Sequence, residues 1–136
     1  TEARRNALME KVKKYIYGKT ESSGNMTMKS VYFGFNGTGL SDDAKKEIDA
    51  LLPSFINDPG VKVEVVGHAD GQGEWSINAY VSRLRAETVY RYLRRKNVPR
   101  NRLNYFGRGN AYPVASNENE VGRTLNRRAE IILIKN

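Results

Sequence analysis

The feature that most constrains this chain is the 21-residue stretch 76–96, flanked on each side by a short alternating apolar run. Inside it Ile77, Val81, Leu84, Val89 and Leu93 recur at helical spacing, and Asn97-Val98-Pro99 stops it. Before it, Val61, Val63 and Val65 alternate with Lys62 and Glu64 and predict a strand ending at Gly67. After it, Leu103, Tyr105 and Gly107-Arg108-Gly109 predict a short strand and turn. A long helix joining two strands implies a crossover, hence parallel strands with the helix laid on one face of a sheet.

The pattern extends upstream. Val31, Phe33 and Phe35 alternate and predict a strand, closed by Asn36-Gly37-Thr38-Gly39. Ser41 offers an N-cap and Asp42-Asp43 an acidic first turn. Ala44, Ile48, Leu51/Leu52 and Phe55 then place a helix over 41–55, which Pro53 kinks or shortens. Residues 57–60 read as a turn, 68–74 as a polar loop with two glycines, and 110–121 as a loop. Ala129, Ile131 and Leu133 alternate within a final strand over 127–134. At the other end, Leu8, Val12 and Tyr15/Ile16 predict a helix over 2–17, and the polar stretch 18–25 reads as a linker. The expected organisation is α+β: a helical extension and linker over 1–25, then a domain over 26–136. The domain runs β-α-β-α-β-loop-β, with two βαβ crossovers, parallel pairs and helices on one face. An antiparallel last strand would make the sheet mixed.

Composition removes whole classes of chemistry. The chain has 136 residues, 39% hydrophobic and 28% charged, as in soluble globular proteins. It has no Cys, which excludes thiol catalysis, Cys-ligated zinc and iron–sulfur clusters. Its single His excludes any site needing two. The most apolar stretch, 129–134, is far below the ~20 residues of a membrane helix. A start at Thr1 leads us to expect a fragment or processed form, with any anchor outside it. The net charge of +8 is uneven: residues 83–110 carry nine Lys and Arg against Glu87. Such a segment suits an anionic partner or internal pairing, so nucleic acid, acidic lipid and anionic polymer all stay open here.

One constellation stands out. Asp70 follows the second domain strand, and Asn78, Ser82 and Arg85 share a single polar stripe of the long helix. A fixed carboxylate facing a fixed guanidinium suits a zwitterion: Asp70 for an ammonium group, Arg85 for a carboxylate. The same residues could equally cap a loop or pair for shape. Gly71 and Gly73 give the intervening loop its freedom. His68 and Asp70 form an H-x-D pair without the third ligand a metal needs or a hydrolase nucleophile, so His68 is expected to hydrogen-bond loop backbone. Gly107-Arg108-Gly109 is only half of a phosphate loop, and the eight Tyr read mostly as core edge or solvated face. Arg123, Arg127 and Arg128 could touch an anionic ligand, or Arg127 or Arg128 could pair with the acidic segment 42–74.

Taken in order, these residues resemble a known signature. Gly67-His68-Ala69-Asp70, Gly73, Asn78, Ser82, Arg85 and Ala86 are similar to the pattern of OmpA-like peptidoglycan-binding domains. Tyr92-Leu93, Asn97-Val98, Arg102-Leu103, Gly107-Arg108-Gly109, Pro113-Val114, Asn117, Gly122-Arg123 and Asn126-Arg127-Arg128 continue the match over about 29–135. The resemblance implies a β-α-β-α-β-β sandwich and non-catalytic binding of the wall through meso-diaminopimelate of the stem peptide. It carries the binding Asp onto Asp70, the binding Arg onto Arg85 and a loop-ordering Asn onto Asn78. Ser82, Gly71, Gly73 and Arg128 complete the candidate ligand set. Ala69 stands for the usual Thr, Ile77 for Tyr, Val81 for Leu and Asn36 for Asp, while Glu74 and Trp75 are unusual in the loop.

The expectation is therefore a periplasmic wall anchor with no cofactor and no metal. It would belong to a membrane-tethered protein or envelope machine, a MotB-type flagellar stator among them, with a homodimer permitted and no nucleic-acid partner. The alternative is an electrostatic binder of nucleic acid or acidic lipid through 83–110, with salt-sensitive affinity. A wall amidase or muramidase lacks an obvious nucleophile or metal trio.

Overall fold

A computed structural model describes residues 21–23, 25–71 and 73–135. The helix expected over 2–17 lies outside the described residues. Five strands form one mixed sheet: β1 (Glu21–Ser23), β2 (Met26–Tyr32), β3 (Val61–His68), β4 (Leu103–Gly107) and β5 (Arg128–Lys135). The spatial order is β1-β2-β5-β3-β4. Helices α1 (Asp42–Leu51) and α2 (Trp75–Arg95) share one hydrophobic core with the sheet, and a short α3 (Glu120–Asn126) precedes β5.

The helices form where the sequence places them. The Ser41 hydroxyl accepts from the Ala44 amide at 3.1 Å and caps α1. Pro53 ends the α-helical run, which tightens into a 3-10 turn over Leu52–Ser54. Helix α2 stops at Asn97, in the left-handed region at φ 73°. Its buried residues Ala86, Val89 and Leu93 meet Val63, Val65 and Ile131 of the sheet. At Gly67 an added Cβ would fall 1.8 Å from the Ser82 carbonyl oxygen. Only glycine allows the helix that close, and the approach sets the depth of the Ser82/Arg85 stripe.

Four expectations need revision. The crossover β3-α2-β4 joins a parallel pair, but β2 and β3 do not pair, because β5 lies between them antiparallel to both. Strand β5 buries Ala129, Ile131 and Leu133 toward the helices and half-buries Ile132 and Ile134 on the other face. Apolar side chains on both faces favour a central position. The first domain strand ends at Tyr32, earlier than the alternation through Phe35 predicts. There the chain turns, with Gly37 N donating to Gly34 O at 2.9 Å and Asn36 at φ 50°. Glu21–Ser23, read as linker, pairs with β2 as a hairpin strand. Helix α3 occupies a stretch read in part as loop; Asn119 caps it by accepting from Gly122 N at 2.8 Å. Seven residues are too few for a periodicity to register.

Candidate functional site

Strands β2, β3 and β4 point the same way, so the loops that follow them meet at one end of the sheet. These loops are residues 33–41, 69–74 and 108–119. The last two are tied together: Ala69 N donates to Gly109 O at 2.8 Å, and Arg108 N to Gly67 O, near the end of β3, at 3.0 Å. Gly71 has φ 87°, and a Cβ there would come within 2.7 Å of the Asn117 side-chain nitrogen. Gly73, at φ 84°, has open space around it. Glycine is thus favoured at 71 by its conformation, while the contact is with the tip of a side chain that can shift.

Arg85 lies beneath these loops, 1% exposed. Its Nε donates to Gly37 O at 2.8 Å, Nη1 to His68 O at 2.9 Å and Nη2 to Gly34 O at 3.1 Å. Its guanidinium also sits 5.5 Å from the Phe33 ring centroid. Burial pulls Arg85 down to about 10, with nearby Asp70 opposing that shift and Arg127 adding to it. The side chain therefore stays cationic at neutral pH. Asp70 is 5% exposed and pairs with Arg127, Nη1 to Oδ2 at 3.2 Å. The acidic-segment pairing weighed for Arg127 or Arg128 falls to Arg127.

Arg127 links further elements. It donates to Phe33 O from Nε at 3.2 Å and to Glu120 Oε1 from Nη2 at 2.6 Å. The hydrogen bond from Arg127 holds the exposed Glu120 carboxyl below the usual range, with the Arg127 charge adding to it. Arg127 thus joins loop 33–41, Asp70 and α3. Residue type alone does not separate it from Arg128; position does, because Arg127 stands at the end of α3 and Arg128 is the first residue of β5.

The remaining candidates occupy distinct places. Asn78 is 4% exposed, and its Nδ2 meets no hydrogen-bond acceptor among the described residues. An unpaired buried donor is costly, which marks a place for an acceptor. Ser82 is fully buried; its hydroxyl donates to Ala79 O at 2.9 Å and accepts from Gly109 N at 2.8 Å. It therefore ties α2 to the loop after β4. Arg128 turns to the opposite sheet face, where Nε reaches Glu130 at 3.2 Å and Nη2 reaches Tyr112 O at 3.0 Å.

His68 also faces that side, and its Nε2 is 2.8 Å from Glu130 Oε1. The expected bond from the His68 ring to loop backbone is replaced by this carboxylate contact across the sheet. Burial pushes Glu130 up, but the hydrogen bond with His68 and the Arg128 charge outweigh it and hold the carboxyl low.

Part of the basic segment is committed within the domain, while Arg83, Arg95, Arg100 and Arg108 stay exposed. Besides Arg85, Arg102 donates to Val61 O, Ile56 O and Phe55 O, Arg94 to Val98 O, and Arg91 pairs with Glu87. Among the described residues, no helix is long and apolar enough to cross a membrane.

Comparison with known proteins matches the OmpA family over residues 32–127. The chain is 30% identical over 121 residues to the putative lipoprotein YfiB of Escherichia coli, covering 86% of this chain and 76% of that one. It is 33% identical over 100 residues to outer membrane porin F of Pseudomonas fluorescens, covering 74% of this chain and only 31% of that protein. The peptidoglycan-associated lipoprotein of Burkholderia pseudomallei superposes with a TM-score of 0.73 at 26% identity, over 76% of this chain and 88% of that one. The matched span runs from the end of β2 to the Arg127 that meets Asp70, and so takes in all three loops around Arg85. The chain belongs to the OmpA family.

Proposed function

We propose that this domain binds peptidoglycan without cleaving it, gripping the stem peptide at the zwitterionic end of meso-diaminopimelate. The observation that carries the reading is the burial of opposite charges, Asp70 and Arg85, beneath three converging loops. A buried charge is kept only where it is compensated, and a zwitterion compensates both at once. Asp70 would accept from the ammonium group. Arg85 has five N–H groups, of which three meet carbonyls; the two others, one on each terminal nitrogen, match a carboxylate. Asn78 Nδ2 would supply a further donor to the ligand.

Both charges are shielded in the ligand-free molecule, so binding is an exchange of partners. The exchange is at Asp70, where the ammonium group takes the place of Arg127; at Arg85 the carboxylate adds to the two N–H groups that meet no carbonyl. A relative bears the name peptidoglycan-associated lipoprotein, which agrees with this reading. In the whole protein the domain would act in the periplasm, tethering a membrane protein or envelope machine to the wall; a MotB-type stator is one such machine.

The test is calorimetric titration with a meso-diaminopimelate stem peptide, comparing wild type with Asp70→Asn and Arg85→Lys. Binding by wild type that falls at least tenfold in both variants is the expected result. Equal affinity in all three overturns the clamp.

A further inference from the structure

On the sheet face opposite Arg85 lies a polar cluster that the wall-binding reading does not use. It is formed by His68, Arg128, Glu130 and Tyr112. Strand register assembles it: His68 pairs with Arg128 and Val66 with Glu130, so the three polar side chains are neighbours on one face. The Glu130 carboxylate is its centre. One oxygen is 2.8 Å from His68 Nε2, and the other accepts from Arg128 Nε at 3.2 Å. Arg128 Nη2 donates to Tyr112 O at 3.0 Å, and the Tyr112 ring stands edge-on to His68 at 6.5 Å. His68 is 3% exposed and Arg128 2%, so neither side chain is placed to meet a ligand from solvent.

One peptide unit links this cluster to the clamp. The carbonyl of His68 accepts from Arg85 Nη1 at 2.9 Å. The N–H of the same unit, on Ala69, donates to Gly109 O at 2.8 Å. The His68 ring holds that unit at a third point, from the back of the sheet. Asp70 is the next residue along. On the other side of Glu130, Arg128 directly follows Arg127, which pairs with Asp70. Tyr112 lies in the same loop as Gly109. The segments that carry Asp70 and its partner are thus both braced by one carboxylate.

We propose that Glu130 is a positioning residue for the stem-peptide clamp. Through the His68 ring it fixes the peptide unit that orients Arg85, and through Arg128 it fixes Arg127 and loop 108–119 around Asp70. This rests on the wall-binding reading above and deepens it. A site for two opposite charges has to be held within about 0.5 Å of its productive geometry, and hydrogen bonds behind the contact residues do this. An ionised carboxylate suits the place, since both neighbours donate to it and such bonds are the short, strong ones. Among the described residues His68 Nδ1 meets no partner, so Nε2 is the ring's one hydrogen-bonded atom. A glutamine at 68 carries an N–H to about the same place, whereas a leucine has none to offer. Arg128, a candidate ligand contact by sequence, becomes a brace.

The experiment is calorimetric titration with a meso-diaminopimelate stem peptide, under conditions where urea unfolding shows each variant fully folded. Glu130→Gln and His68→Leu should each lower affinity about fivefold. His68→Gln should recover most of that loss. Arg102→Ala, which removes a staple at the far end of the sheet, should lose stability yet stay within about twofold of wild-type affinity. In NMR spectra the Arg85 Nε–H resonance should move in Glu130→Gln and His68→Leu and stay in place in Arg102→Ala.

Wild-type affinity in both Glu130→Gln and His68→Leu overturns the assignment and leaves the clamp standing. So does an equal loss in Arg102→Ala, which marks general softening of the fold. A His68→Gln variant no better than His68→Leu, or an Arg85 resonance unmoved in both cluster variants, also overturns it. Should Glu130→Gln fail to fold, the two His68 variants and Arg102→Ala decide by the same criteria. Failure of wild type to bind the peptide overturns the wall-binding reading and this assignment together.

Discussion

Two arginines of one basic segment end their side chains in the same way at opposite ends of the sheet. Arg85 donates to three backbone carbonyls at the end of β3, and Arg102 donates to three at its start. The two sites lie about 25 Å apart by the rise of an eight-residue strand. What differs is the setting. Arg102 is half-buried, binds the 55–61 turn and enters no ion pair among the described residues. Arg85 is fully buried and lies close enough to Asp70 for that carboxylate to act on its proton affinity. Carbonyl binding by an arginine is therefore a stapling device in itself. A buried carboxylate beside it is what makes one staple a candidate for ligand exchange.

The sharpest way to break this comparison is to remove each guanidinium. Arg85→Ala should abolish stem-peptide binding and cost about 3–5 kcal/mol in urea unfolding, because buried carbonyls and Asp70 lose a partner. Arg102→Ala should cost about 1–3 kcal/mol while leaving peptide affinity within twofold of wild type. If calorimetry shows Arg102→Ala losing the peptide as Arg85→Ala does, the two ends are not functionally distinct.

A milder change sharpens the same contrast. Arg85→Lys keeps the charge but not the fork, so peptide affinity should fall at least tenfold with a smaller loss of stability than Arg85→Ala. Arg127→Gln should lower stability by about 1–2 kcal/mol by leaving Asp70 short of a donor. If Arg127 occupies the place of the ligand's ammonium, the loss of peptide affinity in this variant should be less than for Asp70→Asn.

The smallest expected effect concerns acid. Glu130 has a lowered folded value, so its contribution to stability is present above the unfolded carboxyl range and fades as pH falls through the folded one. Glu130→Gln should remove part of the stability at pH 7 and flatten the acid side of the profile. Urea midpoints between pH 3 and 7 measure this, and an unchanged slope would show that the His68–Glu130–Arg128 cluster adds nothing to folding.

Much of the molecule is readable from residues alone, for reasons these regions make plain. Helix α2 announces itself by length and period, and α1 by its Ser41 cap. Asn78, Ser82 and Arg85 follow from helical spacing and Asp70 from its place just past a strand end, both local properties. What escapes is non-local. No local pattern shows that β5 enters between β2 and β3, since that depends on pairing across a hundred residues, as of Lys29 with Ile131. The pairing of Asp70 with Arg127 depends on where the turn from α3 into β5 sits against loop 69–74. Phe35 continues the alternation of Val31 and Phe33, yet the chain has already left the sheet. The Arg85 bonds to the Gly34 and Gly37 carbonyls hold that turn, and nothing near Phe35 in sequence signals them.

The place of β5 has a consequence for how the domain is made. A chain emerging from a ribosome or a translocation channel presents β2 and β3 long before the strand that joins them. Until 128–135 is delivered, β2 and β3 each have an unpaired edge facing the gap, and the apolar residues of both wait for Ala129, Ile131 and Leu133. The same late segment brings Arg127 to Asp70. Closure of the sheet and assembly of the clamp are thus one event in time, and a chain stopped short of β5 should neither fold nor hold the wall.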